Sequence, residues 1–126
     1  MICGVGVDIL SMNRIRALSP NWNDPFFVKT FTGKEREQGI ASEDPVRYFA
    51  GRFSGKEAVF KSFRISPESI RLSEIEIIND DEGKPNVNLF GSARQVAMEK
   101  SIGAISISLS SDNDMMIAFV ISEFAC

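Results

Sequence analysis

The sequence predicts an α+β fold with an antiparallel sheet and one long central helix. In the first half, one apolar strand-like run is followed by segments whose apolar residues recur every three or four positions, which is typical of helices. In the second half, apolar and polar residues mostly alternate, which is typical of strands that bury one face. We therefore expect an N-terminal strand, then helices, then mostly strands.

The N-terminal strand is predicted over Ile2 to Leu10, where glycines alternate with larger apolar residues. Gly4 and Gly6 leave one strand face bare, which allows another backbone or side chain to approach closely. Asp8 is the single charge in this run. Asp8 could cap the segment that follows or bind a cation. Because Ser11 is the better N-cap, Asp8 is available as a cation ligand.

Short helices are predicted next. One runs from Ser11 to Leu18 with Arg14 pointing outward, and a second apolar stretch covers Phe26 to Phe31. Thr32 and Glu35 have the capping-box spacing, in which each side chain satisfies a free backbone N–H at the start of a helix. We therefore interpret Glu35 as a structural residue.

The long helix is predicted over Arg47 to Phe63. Asp44 followed by Pro45 is the combination of an N-cap and a first-turn proline that starts a helix. We expect one face of this helix to be buried, because its apolar residues follow helical spacing. These residues are Val46, Phe49, Ala50, Phe53, Ala58 and Phe60.

Charged residues occupy the rest of this helix. Arg52 and Lys56 lie four residues apart, as do Glu57 and Lys61, so we expect each pair to share one side of the exposed surface. One interpretation is a solvated face with two weakly interacting pairs. The other is a functional face, and the helix alone does not decide between them.

The second half is predicted to hold a hairpin, a helix and two further strands. Alternating residues and a turn-rich segment between them indicate the hairpin. Its strands are Glu74 to Ile78 and Val87 to Phe90, and Asp80 to Pro85 is its turn. The helix is Ser92 to Lys100, and the last strands are Ala104 to Leu109 and Met115 to Val120, around a turn at Ser110 to Asn113.

Length and composition predict one domain over residues 1–126, with no membrane span, no signal peptide and no nucleic-acid partner. Cys3 and Cys126 show no metal-binding spacing, so we expect free thiols and a cytoplasmic protein. The net charge of −3 is uneven. Residues 1–63 carry nine Lys and Arg against seven Asp and Glu, so this half is the expected receiver of an anion or an acidic protein.

The chain contains no histidine. This excludes a Ser-His-Asp triad, a Cys-His pair and any histidine-ligated metal. Acid–base chemistry must therefore be carried by carboxylates, lysine or metal-bound water.

Several motifs together resemble the holo-acyl-carrier-protein synthase family, which are 4′-phosphopantetheinyl transferases of the small, single-domain type. The resemblance spans nearly the whole chain, and an RFxxKEAxxK helix beside an N-terminal GxGxD is a specific combination. The matching residues are Gly4 to Ile9, Arg14-Ile15, Phe49 to Phe53, Lys56-Glu57-Ala58, Lys61 and Gly83-Lys84-Pro85.

The resemblance implies a reaction. The family transfers phosphopantetheine from coenzyme A to a serine hydroxyl of an apo-acyl carrier protein and releases adenosine 3′,5′-bisphosphate, with magnesium bridging the pyrophosphate. It implies that Asp8 and Glu57 bind this Mg²⁺, since the ion prefers carboxylate and phosphate oxygens. Glu57 or metal-bound water would accept the serine proton, and Lys61 would stabilise charge on a phosphate or on the leaving group.

The resemblance also implies the binding residues and the assembly. Arg52 and Lys56, with Lys61, would hold phosphate oxygens of coenzyme A. Gly83-Lys84-Pro85 would border the adenine, although a plain hairpin turn is the alternative. Arg14 would receive the acidic carrier protein, and the chain would form a homotrimer with active sites at the subunit boundaries.

The sequence departs from the family in two places. Ser110-Ser111 stands where the family has serine and histidine, so Ser111 replaces a residue expected to contact a phosphate of coenzyme A. Lys61 to Ser66 replaces a glycine-containing turn and introduces Arg64. Two other functions therefore remain open: a degenerate synthase that binds a carrier protein or nucleotide without transfer, and an unrelated magnesium enzyme of phosphoryl chemistry.

Overall fold

The computed structural model describes residues 1–66 and 68–126 and has the α+β composition predicted from the sequence. The strands are β1 (Ile2–Ser11), β2 (Ile75–Asn79), β3 (Pro85–Leu89), β4 (Ile102–Asp112) and β5 (Met115–Phe124). The helices are α1 (Asn13–Arg16), α2 (Pro25–Thr30), α3 (Gly33–Ile40), α4 (Pro45–Ser62) and α5 (Gly91–Glu99). In this described part, none of the helices is long and apolar enough to span a bilayer.

The strands form two antiparallel sheets in the described residues. β5 lies between β1 and β4 in a three-stranded sheet, and β2 and β3 form a separate two-stranded hairpin. The predicted antiparallel sheet is confirmed, and the predicted hairpin is a second sheet beside it. A single 3₁₀ turn, Leu72–Glu74, leads into β2.

Helix α4 begins where the sequence predicts. The Asp44 side chain accepts a hydrogen bond from the backbone N–H of Arg47 at 3.1 Å, and Pro45 is the first helical residue. The helix packs on β1 and β5 of the three-stranded sheet. Phe49, Ala50 and Ala58 are fully buried, as the helical spacing predicts.

The bare glycine face of β1 lies directly against α4. A Cβ atom added to Gly6 would be 1.8 Å from the carbonyl oxygen of Ala58, and one added to Gly4 would be 2.1 Å from that of Ser62. These distances are far inside van der Waals contact. The predicted close approach is therefore confirmed, and the approaching group is the backbone of α4.

Two apolar clusters pack against the two ends of α4. The cluster at its N-terminal end is rich in aromatic rings, and its fully buried members include Phe27, Phe31 and Phe49. The cluster at its C-terminal end joins the helix to the hairpin and to α5, through Val59 and Ile75 among others. The helix is thus the element that both clusters share.

Two local predictions are wrong. Ser11 is not the N-cap of a helix: it is the last residue of β1, paired with Met115, and its hydroxyl makes only a long contact of 3.4 Å with the N–H of Asn13. Helix α1 has four residues, and its N-cap, Met12, makes no side-chain bond. The predicted turn at residues 110–113 is also shorter, because β4 continues through Asp112 and Asn113 has a positive φ of 54°. Pairing with β5 extends the strand, and asparagine tolerates the left-handed turn conformation.

We expect Gly6→Ala to lower the free energy of unfolding by about 3 kcal/mol or more, since the new methyl group would force α4 away from β1. Denaturant unfolding followed by circular dichroism measures this loss. Gly33→Ala is the matched control, because Gly33 has no atom within 4 Å of its added Cβ and should be neutral or stabilising by up to about 1 kcal/mol. An equally small effect at both positions would contradict the tight β1–α4 contact.

Candidate active site

The contact between β1 and α4 brings Asp8 against two side chains of the helix. The ammonium of Lys61 donates to Asp8 Oδ1 at 3.1 Å and to the carbonyl oxygen of Val7 at 3.0 Å. The hydroxyl of Ser54 donates to Asp8 Oδ2 at 3.0 Å. Only 16% of the Asp8 side chain is exposed, so these bonds fix the direction of its carboxylate.

Ser54 is a residue of this site that the sequence interpretation missed. It lies seven residues, or two helical turns, before Lys61, and therefore on the same side of α4. A search of the helix for polar residues in register with Lys61 would have found it. The structure gives it a positioning contact to Asp8.

Glu57 completes a pair of carboxylates. Partial burial raises the pKa of the Glu57 carboxyl, and the negative charge of Asp8 raises it further, while Lys61 and Arg14 oppose the shift. Glu57 is thus within electrostatic range of the other three charged residues predicted for the catalytic and carrier-protein sites. The structure brings together Asp8, Glu57, Lys61 and Arg14.

This donor set fits a magnesium ion. The two carboxylates repel each other across the site, and a divalent cation would relieve that repulsion. Each carboxylate oxygen carries two lone pairs, so Asp8 can coordinate a cation while it accepts bonds from Ser54 and Lys61. Two protein carboxylates, with the remaining positions left to water and phosphate, are the usual magnesium environment.

Arg14 is exposed beside this cluster, as predicted. Its guanidinium lies 5.6 Å from the centre of the Phe53 ring. A small apolar pocket of about 110 Å³ adjoins it. The residues that line this pocket with Arg14 are Leu10, Ile15, Leu18, Phe26 and Phe53.

Arg52 does not lie on an exposed face, and that expectation is wrong. Its guanidinium stacks over the Tyr48 ring at 4.1 Å, and Nε donates to the carbonyl oxygen of Ile77 at 3.1 Å. Its Nη2 also donates to the side chain of Asn79. Arg52 still lines a cleft at one edge, but most of the side chain is buried against β2.

Lys56 is fully buried, and its predicted surface position is also wrong. Its ammonium donates to Glu35 Oε1 at 2.7 Å, to the carbonyl oxygen of Leu72 at 3.0 Å, and to that of Ile75. These three bonds use all three of its protons. Lys56 therefore has no donor left for a phosphate, and we do not propose it as a residue that binds coenzyme A.

Glu35 is structural, as the capping box predicts, and it has a second role that the sequence did not reveal. Its carboxylate accepts bonds from the backbone of Thr32 and from Lys56, and also from the backbone N–H of Ile77 at 2.9 Å. Burial raises the pKa of the Glu35 carboxyl and lowers the pKa of the Lys56 amine, and the attraction between the two charges opposes both shifts.

A second candidate region is an open cleft of about 230 Å³ at the N-terminal half of α4. Ser110 lines it together with Arg52, so the structure brings these two predicted residues together. Arg47 also lines this cleft, and the sequence interpretation did not include it. It lies one turn before Gly51, another residue of the cleft, on the same side of the helix. Ser111 is the neighbour of Ser110 on β4 but does not line this cleft.

The third predicted region is the hairpin turn between β2 and β3. Gly83 has a φ of +80°, which suits glycine, and Asp80 holds the turn by accepting bonds from the backbone N–H groups of Glu82 and Lys84. The bond from Lys84, with weaker contributions from other donors of the turn, lowers the pKa of the Asp80 carboxyl. The Lys84 side chain is exposed, and Pro85 begins β3. Neither the Asp8 cluster nor the cleft includes residues of this turn.

Known proteins with similar sequences belong to one enzyme family. The 4′-phosphopantetheinyl transferase superfamily profile matches residues 4–119. The holo-(acyl-carrier-protein) synthase of Clostridium acetobutylicum is 39% identical over 98% of both chains. The enzyme of the same name from Desulforudis audaxviator is 38% identical over 97% of this chain and 93% of its own length.

Solved structures of the same family have a fold similar to that of this chain. The crystal structure of holo-(acyl-carrier-protein) synthase from Neisseria meningitidis superposes with a TM-score of 0.87, at 31% identity over 98% of this chain and 99% of that one. The Bacillus anthracis synthase in complex with coenzyme A (3′,5′-ADP) superposes with a TM-score of 0.80, at 27% identity over 99% of both chains. With two carboxylates and a lysine at the β1–α4 contact, the chain belongs to the 4′-phosphopantetheinyl transferase superfamily and is an enzyme of its holo-acyl-carrier-protein synthase group.

Proposed function

We propose that Asp8 and Glu57 hold Mg²⁺ for the reaction of this family, the transfer of 4′-phosphopantetheine from coenzyme A to a serine hydroxyl of an apo-acyl carrier protein. The single observation that carries this proposal is that Asp8, Glu57 and Lys61 come together at one place in the fold. The bound ion would neutralise the pyrophosphate and polarise the phosphorus that is attacked. One domain, residues 1–126, supplies all of these groups.

The chain's own residues account for the proton and for the leaving group. The serine oxygen forms a bond to the phosphorus that carries pantetheine, and the bond to the bridging oxygen breaks to release adenosine 3′,5′-bisphosphate. Glu57 accepts the serine proton, either directly or through water; its raised pKa makes it a better base than an ordinary carboxylate. The Lys61 ammonium, half exposed beside Asp8, stabilises negative charge on the departing phosphate.

The binding of coenzyme A is proposed to use groups from the cleft and the hairpin turn. Arg52 and Ser110 line the cleft and offer donors to phosphate oxygens, with Ser111 as their neighbour. Gly83, Lys84 and Pro85 form a turn whose lysine is exposed; its only ion pair in the described residues is a surface contact of 3.7 Å to Glu82, which an anion could displace. The coenzyme A complex of the Bacillus anthracis relative supports this substrate.

Arg14 is proposed to receive the apo-acyl carrier protein. Its charge contributes to the field at Glu57, so a carrier protein bound there would present its serine near the base. The side chain is exposed, as an interaction with an acidic protein surface requires.

We further propose a homotrimer with the active site at the subunit boundary. The outer face of β1 and β5 exposes apolar side chains that a monomer would leave in water. These are Val5, Val7, Ile9, Ile117 and Phe119, each at least 40% exposed. The cleft and the turn share no described residue with the Asp8 cluster, and association of subunits is a way to join the cleft or the turn of one copy to the Asp8 cluster of another.

A cytoplasmic location is proposed because both cysteines are free, Cys3 buried and Cys126 exposed, as a reducing compartment maintains them. The alternative function is a degenerate synthase that binds without transfer, and Ser111 in place of the expected histidine is the observation that favours it. Mass spectrometry of an apo-acyl carrier protein incubated with the chain, coenzyme A and magnesium separates the two functions. An added phosphopantetheine mass is expected.

Asp8→Asn and Glu57→Gln should each abolish transfer in this assay, since each removes a charge from the proposed magnesium site and Glu57→Gln also removes the base. A chelator should imitate both. Glu37→Gln is the control, because Glu37 is an exposed carboxylate of α3. Near-normal activity of either site variant at low magnesium would remove that residue from the proposal.

Ser111→His should lower the Michaelis constant for coenzyme A several-fold, with little change in turnover at saturation. A charge-assisted bond to phosphate is worth about 1.5–3 kcal/mol and a neutral hydroxyl bond about 1 kcal/mol. Arg64 lies with Cys3, Lys100 and Phe124 at the end of α4 opposite to the cleft, so it could supply part of the lost charge only across a subunit boundary. In that arrangement Arg64→Gly should act in the opposite direction. If the wild type is inert and Ser111→His restores turnover, the chain is instead a degenerate binding module.

Light scattering on dilute protein should give three times the mass of one chain. Phe119→Glu should yield an inactive monomer that keeps its circular dichroism spectrum, because it adds charge to the exposed apolar face. Met98→Glu is the control, since Met98 is exposed on α5. An active monomeric wild type would refute the trimer.

A further inference from the structure

One edge of the hairpin is closed by side chains instead of by a strand. β2 pairs with β3 on one side only, and its other edge faces α3 and α4. On that edge the carbonyl oxygens of Ile75 and Ile77 accept bonds from Lys56 and Arg52. The N–H groups of Ile77 and Asn79 donate to Glu35 and Gln38. A free strand edge that would otherwise need another strand or water is thus satisfied by two helices.

The spacing of these groups explains how helices can replace a strand. Backbone groups that point to one edge recur every second residue of a strand, a repeat of about 6.6 Å. Arg52 and Lys56 lie four residues apart on α4, a rise of about 6 Å. The two repeats nearly match, so consecutive turns of one helix face meet consecutive carbonyl groups of β2.

The four side chains that close the edge are also linked in two pairs. Lys56 pairs with Glu35, and Arg52 stacks on Tyr48, whose hydroxyl donates to the same Gln38 oxygen that Asn79 uses. This linkage resists sliding of the hairpin along the helix, because any shift would break several buried bonds together.

Helix α4 therefore carries two functions on two faces. Ser54, Glu57 and Lys61 face β1 and the catalytic cluster, while Arg52 and Lys56 face the hairpin. Lys56 is the residue before Glu57. The bonds that Arg52 and Lys56 make to β2 therefore fix the hairpin and its turn relative to α4 and to the cleft that Arg52 lines.

We propose that Lys56, with its partner Glu35, and Arg52 are positioning residues that hold the β2–β3 hairpin and its turn at Gly83 to Pro85 in a fixed place beside the cleft lined by Arg52 and Ser110. The proposal rests on the proposed function, in which that turn borders the nucleotide of coenzyme A. Apolar side chains of the same size would fill the space but would leave the carbonyl oxygens of Ile75 and Ile77 without donors. The hairpin would then be free to move, and the nucleotide site would lose its shape.

The test compares Lys56→Met with the double variant Glu35→Gln/Lys56→Met, which removes the charge of Glu35 but keeps a side-chain oxygen to accept a backbone N–H. Lys56→Met leaves the Glu35 carboxylate buried without its cation and should be less stable than the double variant, in which both charges are gone. Both variants lack the Lys56 bond to Ile75, so both should raise the Michaelis constant for coenzyme A by roughly tenfold, a change expected when a binding surface loses its fixed geometry. The Michaelis constant for the carrier protein should stay within about twofold in each, because the Arg14 region does not contact β2.

Two further measurements isolate positioning from stability. Amide hydrogen exchange of residues 75–89 should accelerate in both variants relative to β1 and β5. Phe27→Leu is the stability control: Phe27 is fully buried in the aromatic cluster, and the substitution should lower the free energy of unfolding without changing either Michaelis constant. If Lys56→Met does not fold, the double variant against wild type makes the same comparison.

A purely structural role predicts that the affinity for coenzyme A recovers when stability recovers. The proposal is overturned if the double variant regains both, or if Lys56→Met leaves coenzyme A affinity unchanged. If the wild type transfers nothing, the proposed function fails first, and exchange at residues 75–89 then decides by itself whether these side chains hold the hairpin. Unchanged exchange there would reject the proposal in that case.

Discussion

The structure depends on the contact between the backbone of β1 and the backbone of α4. Gly4 and Gly6 have no side chains to hold the two elements apart, and the carbonyl oxygens of Ala58 and Ser62 occupy the space where Cβ atoms would lie. This contact brings Asp8, near the end of β1, within hydrogen-bond distance of Ser54 and Lys61. Residues that are more than 40 positions apart in sequence thus form one charged cluster.

The same helix meets the hairpin on another face, and there the chemistry is different. Toward β1 the charges are partly exposed, so a cation, a phosphate and a proton can reach them. Toward β2 the charges are buried, and each is matched by an opposite charge or a backbone group. Burial of charge is tolerated only with such partners, because an unpaired ion loses its hydration without compensation. The two pairs with i,i+4 spacing therefore lie in different environments on one helix: Arg52 and Lys56 are buried, whereas Glu57 and Lys61 are partly exposed.

A chain without histidine can still supply general base catalysis. Partial burial and the neighbouring Asp8 raise the pKa of the Glu57 carboxyl, while Lys61 and Arg14 oppose the shift, and we propose this carboxylate as the base. The charged neighbours of Glu57 thus act on its pKa in opposite directions, and a bound divalent cation would add a further positive charge that lowers it.

The sequence by itself determined the features that depend on neighbouring residues. Asp44 and Pro45 start α4, Thr32 and Glu35 form the capping box, and the glycines of β1 require a close neighbour, because each signal acts within a few residues of itself. The family motif also singled out Asp8 and Glu57, the carboxylates that we propose for the magnesium site.

Only the tertiary structure decided which charges are buried. Nothing near Arg52 or Lys56 in the sequence indicates that their partners lie on β2 and α3, so the default expectation of a solvated surface was wrong for both. The length of β4 and the role of Ser54 were likewise decided by pairing with β5 and by contact with β1. Burial and strand length depend on residues distant in sequence, and local spacing carries no information about them.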